Sequence, residues 1–272
     1  MFYRTLITSA LLLAASQASA MVMTADSDLK DWLAAVPTGS VNDWNTRADE
    51  PIKYMMEDQT GNNDFLDPGW GGQDYDAEAI YVNRTKTHIN IAVVTGRAPD
   101  AGGYVAGDIA IDFGLDGVWD IGIVTLGDSA GIGSAGDIYA VTEWDYGLWV
   151  APGVTGNANN AFKLSHPTTV AAGTKLGEAE GFSYDDFAYD GTSGLALGEH
   201  GDAGKHYVIE VSLKIDLIDP TLSTESFLVH WTMTCANDFV EVDPPAGVPS
   251  PAPLALLLMG LLPLARRVRN AD

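Results

Sequence analysis

Asp58, Asn62, Asn63, Asp64 and Asp67 crowd one short stretch of the chain, and Asp74, Asp76 and Glu78 follow directly. Carboxylate and amide oxygens at that density, among glycines, are the donors that calcium takes, with about six to eight oxygens around the ion. The spacing is not that of an EF-hand. Asp112-Phe-Gly-Leu-Asp116-Gly likewise lacks the acidic residue that such a loop needs at its third position. A second echo joins Ala106-Gly-Asp108-Ile-Ala to Ala135-Gly-Asp137-Ile-Tyr, setting an aspartate at the mouth of each of two strands. Asp64, Asp67, Asp76, Glu78 and Asp108 are therefore the expected calcium ligands. The same residue types also make turns and keep a chain soluble, so spacing alone leaves both readings open.

Sugar binding would need aromatic platforms beside carboxylates or amides. Trp144-Asp-Tyr146 puts two rings on one strand face, with Glu143 and Asp145 on the other, and Trp149, Trp70 and Trp119 are further rings. Trp144, Tyr146 and Trp149 form the expected glycan surface, although a stripe of this kind also serves as core. A glycosidase would need two carboxylates about 5–9.5 Å apart around the scissile bond. The spacing selects no such pair. A glycan-active hydrolase on the same scaffold, with Glu143 or Glu210 as acid or base, is the alternative to a non-catalytic protein.

Two other motifs are decoys. Gly127-Asp-Ser129-Ala-Gly131 matches the G-x-S-x-G nucleophile pattern, and Gly131-Ile-Gly133-Ser-Ala-Gly136 matches a dinucleotide fingerprint. Both need a helix to follow, whereas Asp137 to Trp144 reads as a strand. His88, His166, His200, His206 and His230 never fall at H-x-H or H-x-x-x-H spacing, so metal binding by histidine is not expected unless distant residues converge. Cys235 excludes an intramolecular disulfide and a cysteine zinc cage. It sits in an apolar strand without a basic neighbour, and reads as a buried small hydrophobe.

Strands must position these residues. Alternating stretches at 79–83, 88–95, 108–113, 118–124, 137–144, 147–151, 207–214 and 226–235 are separated by Gly, Asp and Asn clusters. In 88–95, Ile89, Ile91 and Val93 share a face. Helical spacing appears only in Asp28 to Val36, through Leu29, Trp32, Leu33 and Val36, and in one turn at Ile215 to Asp219. With no βαβ alternation, the chain is expected to be all-β: one antiparallel, jelly-roll-like β-sandwich with short helices, covering residues 21–242.

The chain has 272 residues with 14 Lys plus Arg against 37 Asp plus Glu, a formal charge of −23. Four of the basic residues lie at the ends, so the body is more acidic still. Nucleic acid is excluded as a partner, because binding it requires Lys and Arg to displace counterions. Hydrophobic residues at 46% supply a core, and 29 glycines signal many turns.

The ends read as addresses. Arg4, an apolar stretch and Ala18-Ser19-Ala20 compose a secretory signal peptide over 1–20, cut by signal peptidase after Ala20. Residues 243–253 form a proline-rich linker. An apolar run to Ala265 follows, short of the roughly 20 residues that span a bilayer, and then Arg266, Arg267 and Arg269. By the positive-inside rule that cluster stays cytoplasmic, making a marginal stop-transfer helix at the inner membrane. Val248-Pro249-Ser250-Pro251, the apolar run and the arginines resemble the PEP-CTERM sorting signal of Gram-negative bacteria, with Ser250 where that family most often has Glu. The resemblance covers about the last 25 residues. It implies processing by an exosortase and delivery to the cell surface or the exopolysaccharide matrix. Gly71 to Tyr81, Ile89 to Gly96 and Gly107-Asp-Ile-Ala-Ile-Asp-Phe113 resemble family 9 carbohydrate-binding modules and DOMON-like domains. What that implies is a sandwich that often binds sugars or calcium, not a catalyst.

Overall fold

A computed structural model describes residues 23–38, 43–57, 72–127, 131–147, 166–195, 205–222, 225–236 and 238–242. The strands are β1 (Ile52–Met56), β2 (Ala77–Arg84), β3 (His88–Thr95), β4 (Ile109–Phe113), β5 (Ile121–Ile123), β6 (Asp137–Tyr146) and β7 (Pro167–Glu178). They continue as β8 (Gly181–Asp186), β9 (Ala188–Tyr189), β10 (Thr192–Ser193), β11 (Tyr207–Lys214), β12 (Phe227–Thr232) and β13 (Phe239–Val242). The larger sheets are antiparallel, in the orders β1-β2-β3-β11-β8 and β13-β12-β4-β5-β6-β7. The chain passes from the first to the second after β3 and again after β11. Since β11 runs antiparallel to β3, pairing Tyr207 with Thr95 and Lys214 with His88, these two crossings leave from opposite ends.

Alternation puts one row of each strand into a shared core. Ile80, Val82, Ile89, Ile91, Val93, Ile209, Val211 and Leu213 come from the first sheet. Ile109, Ile111, Phe113, Ile121, Ile123, Ile138, Phe227, Val229 and Trp231 meet them from the second. The arrangement is sandwich-like. The other face of the first sheet is also covered: Leu29, Trp32, Leu33, Trp44 and Phe187 pack on Ala79, Tyr81, Ala92, Val94 and Val208. That is why β2 and β3 are buried almost throughout rather than on alternate residues.

The covering segment departs from the helix expected over Asp28 to Val36. Only Leu29–Asp31 forms a single 3₁₀ turn, with Asp28 Oδ1 accepting from the Lys30 N–H at its start. Beyond it the backbone turns outward to pair: Ala34 N–H donates to the Asn45 carbonyl at 3.0 Å, and Arg47 N–H to that of Trp32 at 2.9 Å. Leu29, Trp32 and Leu33 are buried as their spacing demands, but long-range pairing supplies the backbone partners that a helix would have. The turn expected near 215 is the 3₁₀ segment Ile215–Leu217.

Candidate metal centre

β1 ends at Met56, and Glu57 continues it by donating its N–H to the Glu78 carbonyl at 2.8 Å. Asp76 directly precedes β2. Its carbonyl accepts from Thr95 Oγ1 at 2.6 Å and from Gly96 N–H at 3.1 Å, which pins it across β3. The β2–β3 register slips between Ala77 and Ala79, a bulge that re-aims the side chains around Glu78. From the other sheet, Asp238 stands just before β13. Its Oδ2 accepts from Ala77 N–H at 2.7 Å and its Oδ1 from Phe239 N–H at 2.8 Å, joining the ends of the two sheets.

These contacts bring four acidic side chains into the interior, Glu57, Asp76, Glu78 and Asp238, with the most accessible, Glu57, only 6% exposed. One carboxylate oxygen each from Glu57, Asp76 and Asp238 lies within 4.8 Å of the other two. Glu78 adjoins them and pairs with His206 at 3.1 Å, both side chains fully buried. The Gln73 amide nitrogen donates to Glu78 Oε1, and its Oε1 is buried without a hydrogen-bond partner. Burial, and then the charges of Glu78, Asp238 and Glu57, push the Asp76 carboxyl up to about 11. Carboxylates held so close in a dry interior must share protons or a cation. Ligands on opposite sides of a calcium-sized ion stand about 4.8 Å apart, so the three oxygens fit around one hard cation.

Of the five expected calcium ligands, Asp76 and Glu78 meet here. Asp64 and Asp67 lie outside the described residues, as do Asp58, Asn62 and Asn63. Asp108 is placed elsewhere, before β4. Its two oxygens accept backbone N–H groups of Thr125 (3.0 Å) and Val170 (2.9 Å), clamping three strands of the second sheet. Burial outweighs those two bonds and raises its carboxyl to about 6. Glu57, Asp238, Gln73 and His206 went unrecognised in the sequence because the acids come from three distant strand ends.

Trp144 and Tyr146 share a face, as expected, but Trp144 is buried. Its indole N–H donates to the Trp119 carbonyl at 3.0 Å, and its ring lies over Gly122. Tyr146 is half-buried beside it, and Trp149 is outside the described residues. The two carboxylates of the hydrolase alternative fall on different sheets. Glu143 is exposed on β6, whereas Glu210 is buried on β11 under the covering segment. The strand β6 does follow Gly136, with no helix to serve the glycine motifs. Cys235 is buried in the shared core.

Two of the histidines do converge, as residues distant in sequence can: His166 and His230 stack with Glu241 beside them. Residue separations of 64 and 11 hide that meeting. Ala20, Val248, Pro249, Ser250, Pro251, Arg266, Arg267 and Arg269 lie outside the described residues, among which no helix is long and apolar enough to cross a membrane. Compared with protein-family models, curated proteins and solved structures, the chain shows no match.

Proposed function

We propose that this chain is an exported, non-catalytic β-sandwich held together by calcium, which presents a carbohydrate-binding surface at the cell exterior. The observation that carries the calcium reading is the buried set Glu57, Asp76, Glu78 and Asp238, which ties the two sheets at one end. An all-oxygen set of this charge suits a hard divalent cation, and an exterior site gives an exported protein access to calcium. The address is read from the ends of the sequence: signal peptidase removes 1–20, an exosortase processes the tail, and the domain reaches the cell surface or extracellular matrix, where exopolysaccharide is its ligand.

Mass spectrometry of both termini of the native protein, from matrix, outer-membrane and inner-membrane fractions, tests the address. A start at Met21 with the tail missing after Pro251 supports it. An intact Arg266 to Asp272 tail confined to the inner membrane means a plain anchor and removes the matrix role. A glycan array probed with calcium present tests the ligand, and an array without a hit removes the binding role.

A further inference from the structure

On the outer face of the second sheet, away from the shared core, β12 and β13 pair His230 with Glu241. His230 Nδ1 lies 3.0 Å from Glu241 Oε1. His166, immediately before β7, lays its ring on that of His230, with centroids 5.3 Å apart and planes at 21°. One coordinating atom from each of the three residues lies within 4.8 Å of the other two. Phe239 packs on His166 at 4.4 Å and Trp119 on His230 at 5.3 Å, so the pair is walled by aromatic rings.

Packing alone does not account for the nitrogens. The His230 side chain is fully buried, and its Nε2 has no hydrogen-bond partner; neither has the buried Nδ1 of His166. A buried polar atom left unmade costs about 1–3 kcal/mol, and here two occur, one on each ring of a stacked pair, on the residue type that most often ligates metals. From the two imidazoles and the carboxylate we infer a second metal site, chemically distinct from the carboxylate cluster, that binds a divalent first-row transition ion such as zinc through His166, His230 and Glu241.

The electrostatics agree. Burial and the neighbouring His230 push His166 down to about 4, against the pull of Glu241. Burial works against the charge of Glu241, but the hydrogen bond and charge of His230, and the charge of His166, outweigh it and keep its carboxyl below the ordinary range. Two imidazole nitrogens and one oxygen suit zinc, copper or nickel rather than calcium or magnesium. Three protein ligands leave a fourth position open to water or a ligand. Glu241 also lines a surface cleft of about 360 Å³ with Lys53, Tyr54, Met55, Leu228 and Val242, which gives an ion a route to the carboxylate.

The test is calorimetric titration of the purified, metal-stripped full chain with zinc chloride in saturating calcium, repeated on His166→Phe, Glu241→Gln and Asp185→Asn. Wild type is expected to bind one zinc per chain at this site. His166→Phe and Glu241→Gln are expected to weaken binding by more than about 100-fold, beyond the 10- to 100-fold typical of outer-shell changes. Asp185→Asn, at an exposed position on β8 outside both clusters, should leave zinc affinity unchanged. Glu241→Gln keeps shape at a half-exposed rim, so it reads the site even where His166→Phe disturbs packing. Cobalt(II) in place of zinc should give intense visible bands that Glu241→Gln removes. No stoichiometric zinc binding in wild type, or an affinity that Glu241→Gln leaves intact, overturns the inference and makes the histidines a packed aromatic pair.

Discussion

The indole N–H of Trp32 donates to Oε1 of Glu210 at 2.7 Å, across 178 residues of chain. Oε2 of the same carboxylate accepts from the Asp26 N–H at 3.0 Å and from the Ser27 N–H. One buried acid thus fastens the covering segment to the back of the first sheet. Burial outweighs these three donors and raises its carboxyl from 4.5 to about 8.

A carboxyl raised on folding keeps its proton to higher pH in the folded state than in the unfolded one. The contribution of Glu210 is therefore complete below about pH 4.5 and is lost as pH rises through about 8. Asp108 acts in the same direction between 3.8 and about 6. Denaturation in urea is expected to show stability falling by a few kcal/mol between pH 5 and about 8. Glu210→Gln should flatten that slope, at a cost of about 1–3 kcal/mol at the acidic end, where its amide faces N–H donors. A slope that Glu210→Gln leaves unchanged would assign the dependence to other groups.

Calcium at about 100 times its dissociation constant should add about 2.7 kcal/mol to stability, a rise in Tm of roughly 5–10 °C for a domain of this size. Chelation should reverse it. Asp76 keeps its proton at neutral pH in the metal-free protein, so Asp76→Asn, which removes no charge there, is expected to leave the Tm of the metal-free protein nearly unchanged while abolishing its response to calcium. An undiminished response in Asp76→Asn would remove this residue from the site.

Gly96 lies against the turn that carries Gln73: a Cβ here would stand 1.6 Å from the Gln73 carbonyl oxygen. Because the clash is with backbone, the turn must move, taking the Gln73 amide away from Glu78. Gly96→Ala is expected to destabilise by at least about 1–3 kcal/mol and to weaken calcium binding together with stability. Chemical denaturation with and without calcium separates the two effects.

Trp144→Ala should cost about 3–5 kcal/mol, as for other buried large aromatics, so loss of glycan binding in that variant would reflect unfolding. Tyr146→Ala, at a half-buried position, is the informative change for a glycan surface. Thermal unfolding beside array binding separates a platform residue from a packing one.

The strands with a clear period-two pattern in the sequence, such as 88–95 and 207–214, sit inside the sheets. Within the two larger sheets, the strands that left no such mark are β1, β7, β8 and β13, which are their four edges. An edge strand has one neighbour and an exposed side, so selection for alternation is weak and charge is tolerated. β7 shows this: past Val170 it runs Ala-Ala-Gly-Thr-Lys-Leu-Gly-Glu, half-exposed over most of its length. Asp76 and Glu78 were legible as metal-type residues because they cluster locally. Glu57 and Asp238 were not, since each stands beside an edge strand and only pairing brings them to Asp76.

β13 is held laterally by β12 alone, through the four pairs from Val229–Val242 to Thr232–Phe239. Asp238 stands at one end of it and Glu241 within it, so one short strand lends a side chain to both groups of candidate ligands. It is also the last strand before the proline-rich stretch that begins at residue 243. A pull on that stretch reaches Val242 first and opens the β12–β13 ladder like a zipper, one pair after another. Glu241 would part from His166 and His230 before Asp238 left its partners. Ions at the two places would act as successive rivets, and loading the tail would release them in that order.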